Sequence, residues 1–190
     1  MNFGYYTDEN YTNLGVDNKE LNKGEYELCT FSNCNLSGYD LSGYVFTDCE
    51  FINCDLSNVK ISDAAFRDVK FISCKMIGLH FDECNLFSLS FEFMDCILDF
   101  SSFYKLKLKK TTFRNCKLIQ VDFVEADLTQ AQFVNCDLQQ AVFERTNLEK
   151  ADLRSGFNFN INPETNNITK AKFSAQGLSG LLMKYKIIVE

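Results

Sequence analysis

Nine cysteines and one histidine are the residues of this 190-residue chain best suited to chemistry. Thiolates and imidazoles hold zinc when four of them close a tetrahedron, often from Cys-x-x-Cys pairs. No Cys-x-x-Cys occurs in the sequence. Instead Cys34, Cys54, Cys74, Cys96, Cys116 and Cys136 follow at intervals of 20, 20, 22, 20 and 20 residues, with Cys29, Cys49 and Cys84 elsewhere. Thiols in a straight ladder do not surround a metal, so no metal or other cofactor is expected. Disulfides are not expected in a chain kept in reducing surroundings. His80 has no nucleophile and orienting group in the pattern that would make it a catalytic base, and it reads as a surface residue. The carboxylates are scattered singly, and no glycine-rich phosphate loop is present. The expectation is a non-enzymatic protein that works by presenting a surface.

What holds the thiols in line is a repeat of five residues. From Tyr26 to Phe91, and again from Leu98 to Leu153, every fifth residue is apolar. The step between Phe91 and Leu98 is seven, which places a two-residue insertion at 92–97. Every cysteine lies two residues before such an apolar centre, and Ala64, Ala126, Ala131, Ala141 and Ala151 take the same slot elsewhere. A second column, Phe31, Phe51, Phe71, Phe113 and Phe133, keeps the same twenty-residue spacing as the thiols. A period of five is neither helix nor strand. It fits a coil of four five-residue sides, with one small and one large residue pointing inward on each. Coils stacked like neighbouring strands, about 4.8 Å apart, would give roughly seven coils and 35 Å of solenoid between Tyr26 and Phe173. The lone proline, Pro163, lies outside the regular repeat, where no ladder N–H is needed.

Three regions follow. Residues 1–20 break the pattern and are expected to cap the first coil, residues 21–173 form the β-helix with an irregular excursion at 154–170, and residues 174–190 form a helix and tail. Ser174 is suited to cap that helix, whose stripe is Leu178, Leu181, Leu182 and Tyr185. Gly177 and Gly180 each weaken it by about 1 kcal/mol relative to Ala. Met183, Ile187, Ile188 and Val189 remain apolar near the end of the chain, and with the stripe they point to a homodimer joined through the C-terminal ends.

Units such as Ala126-Asp127-Leu128-Thr129-Gln130 and Ala151-Asp152-Leu153-Arg154-Ser155 resemble the motif of the pentapeptide-repeat family. The resemblance implies an all-β fold, a right-handed quadrilateral β-helix with a short C-terminal α-helix. The segment Thr30–Gly38 with Asp40-Leu41-Ser42-Gly43 is similar to the amino-terminal coils of the quinolone-resistance (Qnr) members. Leu181-Leu182-Met183 with Ile187-Ile188-Val189 resembles their dimerisation tail, and Asn160-Ile161-Asn162-Pro163-Glu164 resembles a segment of the microcin B17 immunity protein. Those proteins imply an acidic rod that mimics duplex DNA and docks on DNA gyrase or topoisomerase IV.

Charge agrees with a protein partner. The net charge of −7 excludes a generic nucleic-acid binder, whose affinity comes from neutralising phosphates. No run of 18 apolar residues could span a membrane, and residues 1–20 lack an apolar signal segment, so a cytoplasmic chain without membrane contact is expected. Residues 25–99 hold 13 acids and 4 bases, after which come Lys105, Lys107, Lys109 and Lys110. On the twenty-residue coil Asp63 stacks with Glu83, Asp48 with Asp68 on the next side, and Asp82 lies beside Glu83. These five form the candidate partner-binding corner. The competing reading is a scaffold with another protein partner, contacted through Ile77 and Ile119.

Overall fold

Every fifth residue turns a corner. Residues two past an apolar centre, such as Asn33, Asp48, Asn53 and Asn58, have φ of 55°, 52°, 54° and 55°, in the left-handed region. Many corners are set by the side chain just before the centre. Asp55 Oδ1 accepts the N–H of Ser57 at 2.9 Å, and Asp127 and Asp152 do the same for Thr129 and Arg154 at 3.1 and 3.2 Å. This is the Asx-turn habit of Asp and Asn, and it explains why the repeat favours them there. Between corners the chain is extended and pairs with the coils on either side.

The computed structural model describes residues 3–15 and 21–187. They form a four-sided parallel β-solenoid. Two faces carry strands: β1 (Gly4–Thr7), β2 (Asn10–Thr12), β3 (Gly24–Glu27), β4 (Thr30–Ser32), β5 (Val45–Thr47), β6 (Glu50–Ile52), β7 (Ala65–Arg67), β8 (Val69–Ile72), β9 (Phe91–Met94), β10 (Thr112–Arg114) and β11 (Gln132–Val134). One sheet has the order β1-β3-β5-β7, the other β11-β10-β9-β8-β6-β4-β2, all parallel. The register puts Phe31 opposite Phe51, Phe51 opposite Phe71, and Phe113 opposite Phe133. The remaining faces are joined by single bridges, such as Asn35 to Asp55 and Ser102 to Asp122.

Aromatic rings stack along the axis in three columns. One runs Tyr6, Tyr26, Phe46, Phe66 at centroid spacings of 4.7, 5.5 and 5.4 Å. A second runs from Tyr11 through Phe31, Phe51, Phe71, Phe93 and Phe113 to Phe133. The third begins only at Phe81 and continues through Phe103 and Phe123 to Phe143. Any cross-section thus holds about two large rings, with Leu and the small slots filling the rest at high density.

Three expectations change. Within the region 1–20 assigned to a cap, the described residues 3–15 keep the repeat: Tyr6 pairs with Tyr26 and Tyr11 with Phe31, so β1 and β2 belong to a coil of their own. The insertion does not lie at 92–97. Phe71 pairs with Phe93 and Val69 with Phe91, whereas the N–H of Asn85 still bonds to Ala64 O at 2.9 Å, with the spacing of the other coils, so the two extra residues fall between Asn85 and Ser90. Leu86, assigned as an inward centre, is extruded and 63% exposed. The excursion at 154–170 is shorter than expected, because Phe157, Asn167 and Lys172 keep twenty-residue bridges to Asp137, Asn147 and Asp152.

The C-terminal end is closed by one helical stretch, 3-10 at Gln176–Leu178, α1 at Ser179–Leu182 and 3-10 again at Met183–Tyr185. Ser174 Oγ accepts the Gly177 N–H at 3.2 Å. A Cβ on Gly180 would stand 2.4 Å from Phe159 O, and one on Gly177 2.9 Å from the Phe159 ring. The two glycines that lower helix propensity are what let the segment lie on Phe159.

Candidate interaction surface

All nine thiols are free and buried. Eight of them share a role that their size alone does not explain. At Leu56 and Leu128 the N–H three residues on bonds to the centre's carbonyl. At Phe31, Phe51 and Phe71 a thiol from the next coil takes that place: Cys54, Cys74 and Cys96 donate S–H to those carbonyls at 3.4, 3.2 and 3.3 Å. The same slot elsewhere holds Ser101, Thr146 and Asn166, which bond to Met76, Phe123 and Phe143 carbonyls at 2.9, 2.8 and 3.0 Å. Those three polar residues, standing where Ala and Cys otherwise stand, are the sequence signal for this role. Among the described residues no three metal-binding side chains gather.

Burial pushes Cys49 up to about 12 and raises Cys29. Contact with the Cys54 and Cys96 thiols, together with burial, also raises Cys74. A raised thiol pKa means that the folded chain holds a proton which the unfolded chain releases above about pH 8.5. Stability is therefore expected to be unaffected by these groups below that pH. It should fall from there toward pH 12, by up to about 1.4 kcal/mol per pH unit for each such thiol. Chemical unfolding at a series of alkaline pH values checks it, and a flat profile across that window would contradict the buried ladder.

Asp48 and Asp68 are exposed and occupy one corner on consecutive coils, since their neighbours Thr47 and Arg67 pair in register. Asp63 holds the preceding corner, and Glu83, at the end of a 3-10 turn over Phe81–Glu83, lies beside it on the next coil. Asp63 Oδ1 accepts Asn85 Nδ2 at 3.1 Å, and Glu83 Oε2 accepts Ser62 Oγ at 2.7 Å. Asp82 departs from the expected cluster. It is half-buried, with Oδ1 shielded from solvent and 3.6 Å from His80 Nδ1. Other acids of this half are otherwise engaged: Asp55 holds its turn and pairs with Lys75 at 3.2 Å, and Glu50 pairs with Lys70 at 2.9 Å. Four carboxylates thus flank one face on two adjacent corners. Out of that face, between the corners, projects the bulge with Leu86 and Phe87, 63% and 73% exposed. The Arg67 guanidinium lies 5.9 Å from the Phe87 ring centroid. The bulge was missed because Leu86 fits the five-residue frame; Phe87, falling outside that frame, was the available signal.

At the other end Leu178, Met183, Tyr185 and Ile187 are exposed, whereas Leu181 and Leu182 are half-buried against the last coil. Ile188 and Val189, assigned with them to the dimer contact, lie outside the described residues. Lys184 pairs with Glu164, and the Tyr185 hydroxyl donates to Glu164 Oε1 at 3.0 Å, which ties the segment to the preceding coil. Ile77 and Ile119 are each half-buried. No described helix is long and apolar enough to cross a membrane.

Among curated proteins no match is found. Among solved structures the chain is similar to a trypsin-treated variant of QnrB1, a plasmid-mediated fluoroquinolone resistance protein. The identity is 19%, over 98% of this chain and 100% of that one, with a TM-score of 0.63. A second treated variant gives 18% identity over the whole of both chains and a TM-score of 0.62. Full-length QnrB1 gives 17% over 97% of this chain and 100% of that one, with a TM-score of 0.52. At these identities the likeness is one of fold. The pentapeptide repeat region family matches residues 25–92, 44–113 and 90–162, together well over half of the chain. With the five-residue corners, the inward small and large slots and the twenty-residue register, this makes the chain a member of the pentapeptide repeat family.

Proposed function

We propose that this protein is a non-catalytic cytoplasmic DNA mimic, which binds a type II topoisomerase, DNA gyrase or topoisomerase IV, through its acidic half. The observation that carries the reading is charge density. Residues 25–99 have 13 acids against 4 bases. Spread over about four coils of 4.8 Å, that is roughly one net negative charge per 2 Å of axis. Duplex DNA carries one per about 1.7 Å. The mimic is short, because Lys105, Lys107, Lys109 and Lys110 follow at once. Its length matches about six base pairs at about 3.4 Å each. The likeness in fold to a fluoroquinolone resistance protein supports the same reading, with protection of the enzyme from quinolones as its consequence.

The test is a gyrase binding and supercoiling assay, with and without a fluoroquinolone. Replacing Asp48, Asp63, Asp68, Asp82 and Glu83 by Asn or Gln is expected to abolish binding and leave the unfolding midpoint nearly unchanged, since four of the five are exposed. Binding by the wild type should weaken as salt shortens the screening length below about 8 Å. A wild type that binds neither enzyme at low salt would leave the second reading, a scaffold for another protein. Leu86 and Phe87 favour that alternative, because a projecting apolar tip is no part of a duplex surface.

A homodimer through the C-terminal ends belongs to the same proposal, supported by the exposure of Leu178, Met183, Tyr185 and Ile187. Leu178→Asp with Met183→Asp is expected to give monomers by sedimentation at micromolar concentration. A wild type that is already monomeric there refutes it.

A further inference from the structure

The corner that carries Asp48 and Asp68 continues past the bulge, and its charge reverses there. Moving out from Ser90 one coil at a time, the corner residues are Asp68 and then Asp48 on one side, Lys110 and then Gln130 on the other. Three and four coils out stand Leu28 and Asp8, against Lys150 and Lys170. The eight around Ser90 share the corner conformation, with φ between 51° and 64°, so they form one line along the rod. On the adjacent corner Asp63 and Glu83 are followed by Lys105, which pairs there with Glu125 of the next coil at 3.6 Å. Asp8, Asp48, Asp68, Lys110 and Lys170 take part in no ion pair among the described residues, whereas Lys150 pairs with Glu149 at 2.8 Å.

Where the sign changes stand the two most exposed large apolar side chains of the described residues, Leu86 and Phe87. Beside them is a notch of about 290 Å³ lined by Leu86, Ser88, Leu89, Lys105 and Lys107. Turning this line end over end about Ser90 brings Asp68 onto Lys110, Asp8 onto Lys170 and tip onto notch. A parallel copy in register would set acid on acid at Asp8, Asp48 and Asp68 and base on base at Lys110, Lys150 and Lys170.

We propose that this corner binds a second copy of the chain, antiparallel and side by side, with a twofold axis beside Ser90 and the Leu86–Phe87 tips of both copies on it. Asp68 then faces the partner's Lys110, and Asp8 the partner's Lys170, along a contact of about 40 Å, eight coil spacings. The tips supply the buried apolar area and the charges set direction and register. The contact is separate from the C-terminal one and stands without the topoisomerase reading. It covers the same acidic corner, so self-association and topoisomerase binding exclude each other.

Sedimentation and small-angle scattering of the full chain test it at about 20 mM and about 500 mM salt. The expected low-salt species is a dimer no longer than the monomer, lost at high salt; a C-terminal dimer is about twice as long and insensitive to salt. Asp68→Lys or Lys110→Asp alone should weaken association about tenfold or more, and the two together should restore it, because the swapped charges meet across the axis. Phe87→Ser should weaken it at low salt although every charge is kept. Both charged positions are exposed corners that already accept Asp and Lys on other coils, so folding is not at stake. A double variant no better than the singles, or a wild type monomeric at low salt up to about 0.1 mM, overturns the proposal.

Discussion

Cys74→Asp is expected to lower the stability by several kcal/mol, enough to unfold much of a domain whose whole stability is only about 5–15 kcal/mol. Cys74 is 2% exposed, with Phe51 O at 3.2 Å and Ile72 O at 3.4 Å from its sulfur. A carboxylate in that slot would turn its oxygens toward two carbonyl oxygens and find no donor. Its escape is to take up a proton and act as the donor itself, which carries its own cost at neutral pH. The thiols of Cys54 and Cys96 above and below already donate to Phe31 O and Phe71 O and are not free to serve it. Cys74→Ser is expected to be far milder, because Ser101 already makes this bond from the same slot at 2.9 Å. Asp68→Ser, at an exposed corner, should stay within about 0.5 kcal/mol. Denaturant midpoints measure all three, and equal midpoints for Cys74→Asp and Asp68→Ser would dismantle the inward ladder.

How much of this was legible depended on whether a residue's type reports its direction. Along 24–84 and 93–153 it does. A five-residue side points its centre inward, and stacking then repeats the pattern every twenty residues, so Cys34 and Phe31 disclose coil, register and core together. The first coil was hidden because Gly4 and Glu9 fill the slots where Cys or Ala would stand, although Tyr6 and Tyr11 keep the spacing. The bulge was misplaced because Leu86 and Phe91 are both apolar and both fit the old frame, and only packing decides which of them goes inside. The acidic surface was half legible. The corner positions of Asp48, Asp63 and Asp68 follow from the frame. That Asp82 is half-buried beside His80 depends on how the face folds next to the bulge, which no spacing records.

Phe91→Ala is expected to cost about 3–5 kcal/mol, while Leu86→Ala should change stability by less than about 0.5 kcal/mol. On the unbroken five-residue frame both are inward centres, and the two losses would be alike. The structure separates them through the change of aromatic column. The column ending at Phe66 and the one beginning at Phe81 lie on different faces, and Phe91 spans the gap. Its ring centroid is 5.7 Å from Phe66, 5.1 Å from Phe81 and 5.5 Å from Phe93. Yet its backbone pairs opposite Val69, in the slot that on other coils holds the smaller Cys29, Cys49, Thr111 and Ala131. A phenyl ring fits there only because Leu86, whose side chain would have filled the next position, is turned out to solvent. The exposed tip and the buried ring are therefore one packing solution, and truncating Phe91 leaves a void that Leu86 can refill only by undoing the bulge. Deleting Phe87 and Ser88 tests that coupling from the other side. The shortened coil regains the twenty-residue frame, but Leu86 and Phe91 then compete for one volume, an overpacking of about 1–3 kcal/mol. Adding Phe91→Val, the residue type of Val69, should relieve it. Unfolding midpoints that fail to recover in the combined variant would show that the bulge is not held out by Phe91.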